Sequence, residues 1–369
     1  MAERTQLKRI AVVLEGRVDY EREVLRGIRD HAAPHGDWLL HLEPPGRHLP
    51  RFLREWQPHG ILFQAEHLSP DSLRAVVEQR CPAVHLSDSH RELKVPCVGL
   101  DNEAVGRMAA EHLSRFGWSS FAFVGVRGRP YSKRRCTAFS AFVAGSVATT
   151  ELPSASLKGW LAKLPRPCAL FAANDQCSLQ VITLCRELGL RVPEEIAVLG
   201  VGDDALICEF ARPQMSSISV PSRQVGVAAA RRLEECLGGG RRRRSTLLAP
   251  GGVISRQSTD LARTEDDHVN RALRFIRENF ARRINVADVL REVGVSRRLL
   301  ERRFRQALGV SPLHELQQAR LERARHLLLT TEAPLSRIAA QCGYTNATQL
   351  VTAVKRATGR TPGQIRQQR

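Results

Sequence analysis

Nothing in this 369-residue sequence offers a membrane span. A bilayer-crossing helix needs a run of about 18 or more apolar residues, and none occurs. The opening residues, Met1 to Arg9, are polar and have no apolar stretch of the kind a secretory signal carries, so no export is expected. The nine cysteines include no Cys-x-x-Cys pair. That argues against a zinc or disulfide framework and for free, mostly buried thiols in a reducing compartment. The twelve histidines show no paired ligand spacing. Gly-x-Ser-x-Gly, His-Glu-x-x-His and a Gly-rich phosphate loop are all missing, so the chain is not expected to be an enzyme, and no cofactor or metal is expected. Acidic charge is in short supply as well: 38 Asp+Glu face 56 Lys+Arg, for a formal net charge of +18 and a pI ≈ 10.5.

Hydrophobic residues make up 43% of the chain, enough for a core in two or three domains. The excess of positive charge suits a polyanionic partner. It is densest at the end: from Thr264 to Arg369 there are 20 Lys+Arg against 10 Asp+Glu. A dedicated binding module there fits better than a uniformly basic surface.

Two regimes follow one another along the chain. Up to Ile254, short apolar runs alternate with helical periods. Ile10–Leu14, Ile61–Phe63, Ala83–Leu86, Phe121–Val124, Ala169–Ala172 and Ala197–Val201 read as strands. Tyr20–Ala33, Ser69–Arg80, Ala104–Phe116, Gln176–Leu188 and Arg223–Leu237 read as helices. Such alternation implies a parallel α/β sheet. Ser255–His268 is polar and reads as a linker. From residue 269 to 369 the pattern is helix after helix.

In that tail Val286, Val289, Leu290 and Val293 mark one buried helix face. Gly294 ends the helix and Ser296 caps a second one. There Leu300 and Phe304 point one way, while Arg298, Glu301, Arg302 and Arg305 share another face beside Arg297. A short helix, a Gly turn and a helix with a basic stripe make a helix-turn-helix over about 286–308. Arginines in that stripe suit guanine edges, and Glu301 suits cytosine amino groups. The design recurs over about 335–358: Leu335, Ile338, Ala339 and Cys342, a Gly343-Tyr344 turn, then a helix from Asn346. Its outer face, Thr348, Val351, Thr352 and Lys355, is small and nearly uncharged, which suits thymine methyls and one phosphate contact. A helix over about 313–329 joins the units and spaces them for successive major grooves, roughly 34 Å apart.

The segments VSRRLLERRFRQALGVSP, ARHLLLTTEAPLSRIAAQCGYTN and TGRTPGQIR resemble the AraC-type DNA-binding domain across the whole tail. One departure stands out. Where that family carries Phe-x-Arg-x-Phe-Lys, this chain reads Leu350-Val351-Thr352-Ala353-Val354-Lys355, with no arginine at Thr352.

Residues 1–254 carry three further segments. These are Val98–Asn102, followed by a helix ending in Glu111-His112-Leu113 and then Gly117; Phe171–Gln176, followed by Leu188–Gly200; and Ser216–Pro221. Together they resemble the sugar-binding core of LacI/GalR-type repressors. The resemblance implies a periplasmic-binding-protein fold of two lobes around a cleft, with no DNA-binding segment of the repressor kind ahead of it. A sensor of this type joined to an AraC-type tail is characteristic of the xylose operon regulator family, and Tyr20–Gly27 (YEREVLRG) resembles its first helix. The expected fold is therefore a two-lobed α/β sensor domain followed by an all-α domain with two helix-turn-helix units.

Sugars are held by planar polar groups that each meet two hydroxyls. In α/β sheets these gather where strands end. Asn174, Asp175, Asp203 and Asp204 all follow strands, and Tyr20 and Arg135 join them on resemblance, Arg135 through an Arg-x-x-Ala-Phe element. Gly202 stands where the repressors carry a ligand aspartate, with Asp203 as the replacement. Each has a plainer alternative. Asn174-Asp175 and Asp101-Asn102 suit helix caps, Arg135 suits a surface ion pair, and Trp38, Trp56, Trp118 and Trp160 suit packing rather than sugar platforms. Arg241–Arg244 suits a solvated loop or an auxiliary phosphate contact. Residues 143–166 are short for the fold, which predicts an irregular strand.

The expected function is a cytoplasmic, nucleoid-associated regulator that binds double-stranded operator DNA. Its effector is D-xylose or a related pentose, its form a homodimer, its output activation through RNA polymerase, and it has no membrane partner. Two alternatives remain: an architectural DNA binder with a vestigial cleft, and a cysteine-based alkyl-transfer repair protein.

Overall fold

The computed structural model describes residues 7–34, 36–89, 93, 95–115, 118, 120–239, 245–260, 266–331 and 333–366. The Arg241–Arg244 run, Gly117 and residues 261–265 lie outside them. Along the first part run β1 (Lys8–Val13), α1 (Asp19–Ala32), β2 (Trp38–Glu43), α2 (Leu49–Trp56), β3 (Gly60–Phe63), α3 (Pro70–Val77), β4 (Ala83–His85) and β5 (Val98–Leu100). There follow α4 (Asn102–Ser114), β6 (Ser120–Val126), α5 (Pro130–Phe142), β7 (Val147–Leu152), α6 (Leu157–Lys163), β8 (Cys168–Ala172) and α7 (Asp175–Glu187). Then come β9 (Ile196–Gly202), α8 (Ala205–Phe210), β10 (Ser216–Ser219), α9 (Ser222–Leu237), β11 (Thr246–Leu248) and β12 (Gly252–Ile254). The tail holds α10 (Asp267–Asn279), α11 (Val286–Val293), α12 (Arg297–Leu308), α13 (Pro312–Thr330), α14 (Leu335–Gln341), α15 (Ala347–Thr358) and α16 (Pro362–Arg366). The chain forms two compact units, one of residues 1–107, 126–139 and 220–250, the other of the remainder.

The first unit contains a four-stranded parallel sheet in the order β2-β1-β3-β4. A bridge from His85 to Cys97 leads on to the parallel pair β5–β11. Alternation along β1 explains its apolar run. Ile10 and Val12 enter one core with Val24, Ile28 and Leu233 from α1 and α9. Ala11 and Val13 enter another with Leu49, Leu53 and Val76 from α2 and α3. A strand covered on both faces has no polar side to show. Helices α1 and α9 meet at glycines: a Cβ on Gly27 would lie 1.9 Å from the Arg223 carbonyl, and one on Gly226 2.1 Å from that of Val24. That contact accounts for the glycine closing YEREVLRG.

The second unit contains a six-stranded sheet in the order β12-β10-β9-β8-β6-β7, with β12 antiparallel to β10. The irregular strand expected in 143–166 is instead a regular one. β7 sits at the sheet edge, and its partly exposed, polar VATTEL pattern hides it from an apolar-run search. Strands β2 and β10 escape for related reasons, β2 as the half-exposed edge of its own sheet and β10 because its fully buried SSIS carries hydroxyls. The polar segment expected to be a linker contains a helical turn at Gln257–Thr259, whose Ser258 and Thr259 are wholly buried.

The tail has two cores built from its own residues. Val269, Ile276, Val289, Leu300 and Phe304 center the first; Leu328, Ile338, Leu350 and Val354 center the second. Helix α13 contributes Leu316 to one and Ala324 and Leu328 to the other. Among the described residues no helix is long and apolar enough to cross a membrane.

Candidate nucleic-acid interface and effector site

Capping chemistry sets the first helix-turn-helix. The Asn285 side chain accepts from the backbone N–H of Ala287 and Asp288 (2.8 and 3.3 Å), and Asp288 accepts from the N–H of Asn285 at 2.9 Å. This reciprocal pair fixes the start of α11. Gly294, at φ 74°, ends it in the left-handed region. Ser296 caps α12 by accepting from the Leu299 N–H at 3.4 Å. Leu300 and Phe304 are buried, so Arg298, Arg302 and Arg305 face outward and are exposed. Arg297 donates from Nε to Glu301 Oε1 at 2.9 Å, which couples Glu301 to a cation one turn away.

The second unit is built the same way with less charge. Thr348, Thr352 and Lys355 of α15 are exposed and Val351 is half-buried. Thr352 Oγ1 donates to the Thr348 carbonyl at 3.0 Å. Asn346, expected among the DNA contacts, is the helix cap, accepting from the Gln349 N–H at 2.9 Å. The turn residue Gly343 has φ 73°, and a Cβ there would lie 2.2 Å from the Phe280 carbonyl. The turn is thus wedged against the C-terminal end of α10. Arg320 of α13 donates to the carbonyls of Phe280, Arg282 and Ile284 at 3.1, 3.2 and 2.8 Å. Helix α13, about 28 Å long at 1.5 Å per residue, is fixed by these contacts to the segment between α10 and α11.

In the first unit, polar side chains converge beyond the ends of β3, β4 and β5. Asp88, 2% exposed, accepts from Asn102 Nδ2 at 3.0 Å and from Arg134 Nη1 at 3.1 Å. Asn102 Oδ1 in turn accepts from Arg135 Nε at 2.8 Å. Arg135 is 8% exposed with its guanidinium 4.9 Å from the centroid of the Tyr131 ring, so it is no surface ion-pair partner. Tyr20 lies near this group; burial pushes its phenol above the usual range while Arg135 pulls it down. Glu66 is held by the hydroxyls of Ser87 and Ser89. The network therefore joins Arg135 to Asp88, Asn102 and Arg134, which the sequence reading missed. Asp101 does cap α4, accepting from the Ala104 N–H at 2.9 Å, but Asn102 does more than cap. The available signal was Ser87-Asp88-Ser89 directly after β4.

The four expected residues of the second unit are tied to local partners. Asn174 caps α7, accepting from the Cys177 N–H at 2.9 Å. Asp204 caps α8. Asp175, 4% exposed, accepts from Ser217 Oγ at 2.6 Å and from the Asp204 N–H at 2.9 Å. Burial pushes its carboxyl up to about 6. A Cβ on Gly202 would lie 2.8 Å from Asp175 Oδ2, so a ligand aspartate at 202 would collide with this carboxyl. Asp203 pairs with Arg256 Nη2 at 2.8 Å and approaches His326 Nε2 of α13 at 3.8 Å. Burial raises its carboxyl and Arg256 opposes that rise.

Three of the four tryptophans pack: Trp118 is buried, Trp38 lies against one core of the first unit, and Trp56 stacks on Phe52. Burial pushes Cys81 and Cys168 up to about 11 and Cys185 and Cys342 up to about 12. A nucleophilic thiol needs the opposite shift.

Residues 110–259 match the family model of the periplasmic binding protein-like domain, and residues 289–368 match that of the helix-turn-helix domain. The chain is 28% identical to the xylose operon regulatory protein of Escherichia coli (strain K12), covering 98% of this chain and 97% of the relative. It is 25% identical to the protein of the same name from Haemophilus influenzae, over 98% of each chain. A solved structure of a xylose-binding transcription activator superposes with a TM-score of 0.62 at 26% identity, again over 98% of each chain. With a match to the periplasmic binding protein-like domain ahead of a match to the helix-turn-helix domain, and relatives that match it from end to end, the chain is a DNA-binding transcription regulator homologous to the xylose operon regulatory proteins.

Proposed function

We propose that this regulator answers to a pentose, with D-xylose the first candidate, and that the sugar changes its affinity for operator DNA. The observation that carries the sugar reading is the hydrogen-bonded chain Arg134–Asp88–Asn102–Arg135, buried from Asp88 to Arg135, at the strand ends of the first unit. It offers forked donors and planar acceptors, the groups that meet paired sugar hydroxyls. D-xylose is taken from the relatives, which are named for the xylose operon. Tyr20 and Arg135 are its proposed contacts in that unit, with Asp175 the foremost of the four in the other and Asn174, Asp203 and Asp204 in supporting roles.

On DNA, Arg298, Arg302 and Arg305 read or grip the first half-site, with Arg297 and Glu301 acting as a pair. Thr348, Val351, Thr352 and Lys355 meet the second, where Asn346 sets the helix start. The regulator works in the cytoplasm as a homodimer and activates through RNA polymerase. An effector can shift operator binding only by its differential affinity for the two states.

Titration calorimetry with D-xylose, arabinose, ribose and glucose tests the effector. Saturable binding of D-xylose alone, abolished by Arg135→Ala, is the expected outcome. No heat with any of the four rejects the pentose and leaves the DNA-binding regulator.

A further inference from the structure

Strand β10 carries two adjacent buried serines that face opposite ways, as strand residues do. Ser217 Oγ donates to Asp175 and accepts from the Asp203 N–H at 3.0 Å. Ser216 Oγ donates to the Arg256 carbonyl at 2.9 Å and accepts from Thr259 Oγ1 at 2.8 Å. The Ser216 N–H donates to Ser258 Oγ at 2.8 Å, and Ser258 Oγ donates to the Val198 carbonyl at 2.6 Å. His112 Nε2 donates to Thr259 Oγ1 at 3.1 Å. Ser216, Ser217, Ser258 and Thr259 are all 2% exposed or less. The next residue, Asp260, forms an ion pair with Arg277 of α10. Nearby, Arg115, just past α4, and Glu322 of α13 approach at 3.7 Å. Arg277, Arg115 and Glu322 border a cavity of about 420 Å³.

Beside this sheet, helices α10 and α13 are therefore held in part by ion pairs around an unfilled cavity of mixed polar and apolar lining, whereas each core of the tail is closed by tail residues. Contacts of that kind release more readily than packed apolar ones. A fully satisfied buried polar network, by contrast, holds its members in one arrangement.

We propose that β10 is the coupling element of this regulator: its Ser217 face senses occupancy at Asp175, and its Ser216 face sets, through Thr259 and Asp260, how firmly Arg277 docks the DNA-binding helices. The Asp175 half rests on the sugar reading above; the docking half does not. Ser216, Thr259, Asp260 and Arg277 are positioning residues and touch neither sugar nor DNA in this scheme. A mutant cycle measures this coupling.

Operator affinity of the full chain, without sugar, is measured by fluorescence anisotropy for Asp260→Asn, Arg277→Gln and the double variant. Each single change is expected to shift affinity at least three-fold, and the double to go no further. Unchanged or additive affinities overturn the docking role, since additivity means that Arg277 acts on DNA by itself. Asp260→Asn is nearly isosteric and keeps the cycle readable should Arg277→Gln fold poorly: its affinity matching the parent's is enough to overturn. Ser216→Ala is then titrated with D-xylose and operator. D-xylose affinity is expected within two-fold of the parent, with the effect of sugar on operator affinity reduced at least three-fold; an undiminished effect overturns transmission through β10. A parent chain that binds no sugar rejects the sugar reading and the Asp175 half with it, while the sugar-free cycle still decides the docking role.

Discussion

Asp175 and His112 are both buried in the second unit, and their titrations act on stability with opposite signs. Burial lifts the Asp175 carboxyl to about 6, against about 3.9 in an unfolded chain. Between those values the folded chain keeps a proton that the unfolded chain has lost, so this contribution is present at low pH and fades as pH rises through 6. Asp175→Asn should therefore gain stability over the parent between pH 4 and 7, on the order of 2 kcal/mol. Denaturant midpoints of both chains across that range check this, and a difference that stays flat contradicts it. His112 is held down to about 3, by burial first and then by Arg115 and Arg277. Burial, Arg323 and Arg256 hold His326 down to about 4. Their contribution is complete above the unfolded value, about 6.5, and is lost as pH falls toward those lower values. His112→Gln is expected to flatten the acid limb of the stability profile, which a pH series of thermal melts would show.

The two helix-turn-helix elements share a turn glycine but not its surroundings. Gly294 needs only its left-handed φ, because a Cβ there meets nothing within 4 Å. Gly343 has the same backbone and is also pressed against the carbonyls of Phe280 and Arg282. Gly294→Ala is expected to cost about 1 kcal/mol. Gly343→Ala should cost roughly 2–4 kcal/mol, because overpacking adds to the strain. Equal losses in thermal unfolding would mean that the second turn is not wedged. The tail helices were legible because caps, glycines and heptad-like spacing are local signals. Ser296 and Gly294 both stand where their chemistry placed them. Edge strands β2 and β7 were not, since half-exposed strands dilute the apolar run on which they are recognised.

At the scale of the whole molecule the formal charge of +18 makes operator binding salt-dependent. Arg302→Ala should weaken operator binding by about 1–3 kcal/mol and relax base preference in the first half-site. Thr352 leaves the middle of α15 uncharged where the AraC-type pattern carries arginine. Thr352→Arg is expected to tighten binding and to steepen the slope of log affinity against log salt by about one phosphate contact. Anisotropy titrations at several salt concentrations measure both; a Thr352→Arg slope equal to the parent's would remove α15 from the DNA.

The sequence by itself determined the order of α/β body and helical tail, the two helix-turn-helix units with their turns, and the basic character of the partner-binding end. Those properties rest on neighbours three to seven residues apart, where periodicity and capping act. Only the tertiary structure decided that Arg135 meets Asp88, Asn102 and Arg134 in one network, because β4, β5 and α5 bring together residues up to 46 positions apart. It also decided that Asn174, Asp204 and Asn346 serve as caps and that Gly202 must stay small beside Asp175. The polar stretch after Ile254 could not be read as buried from its composition. Its Ser258 and Thr259 enter the interior only because β9 and β10 supply a carbonyl and a hydroxyl to receive them.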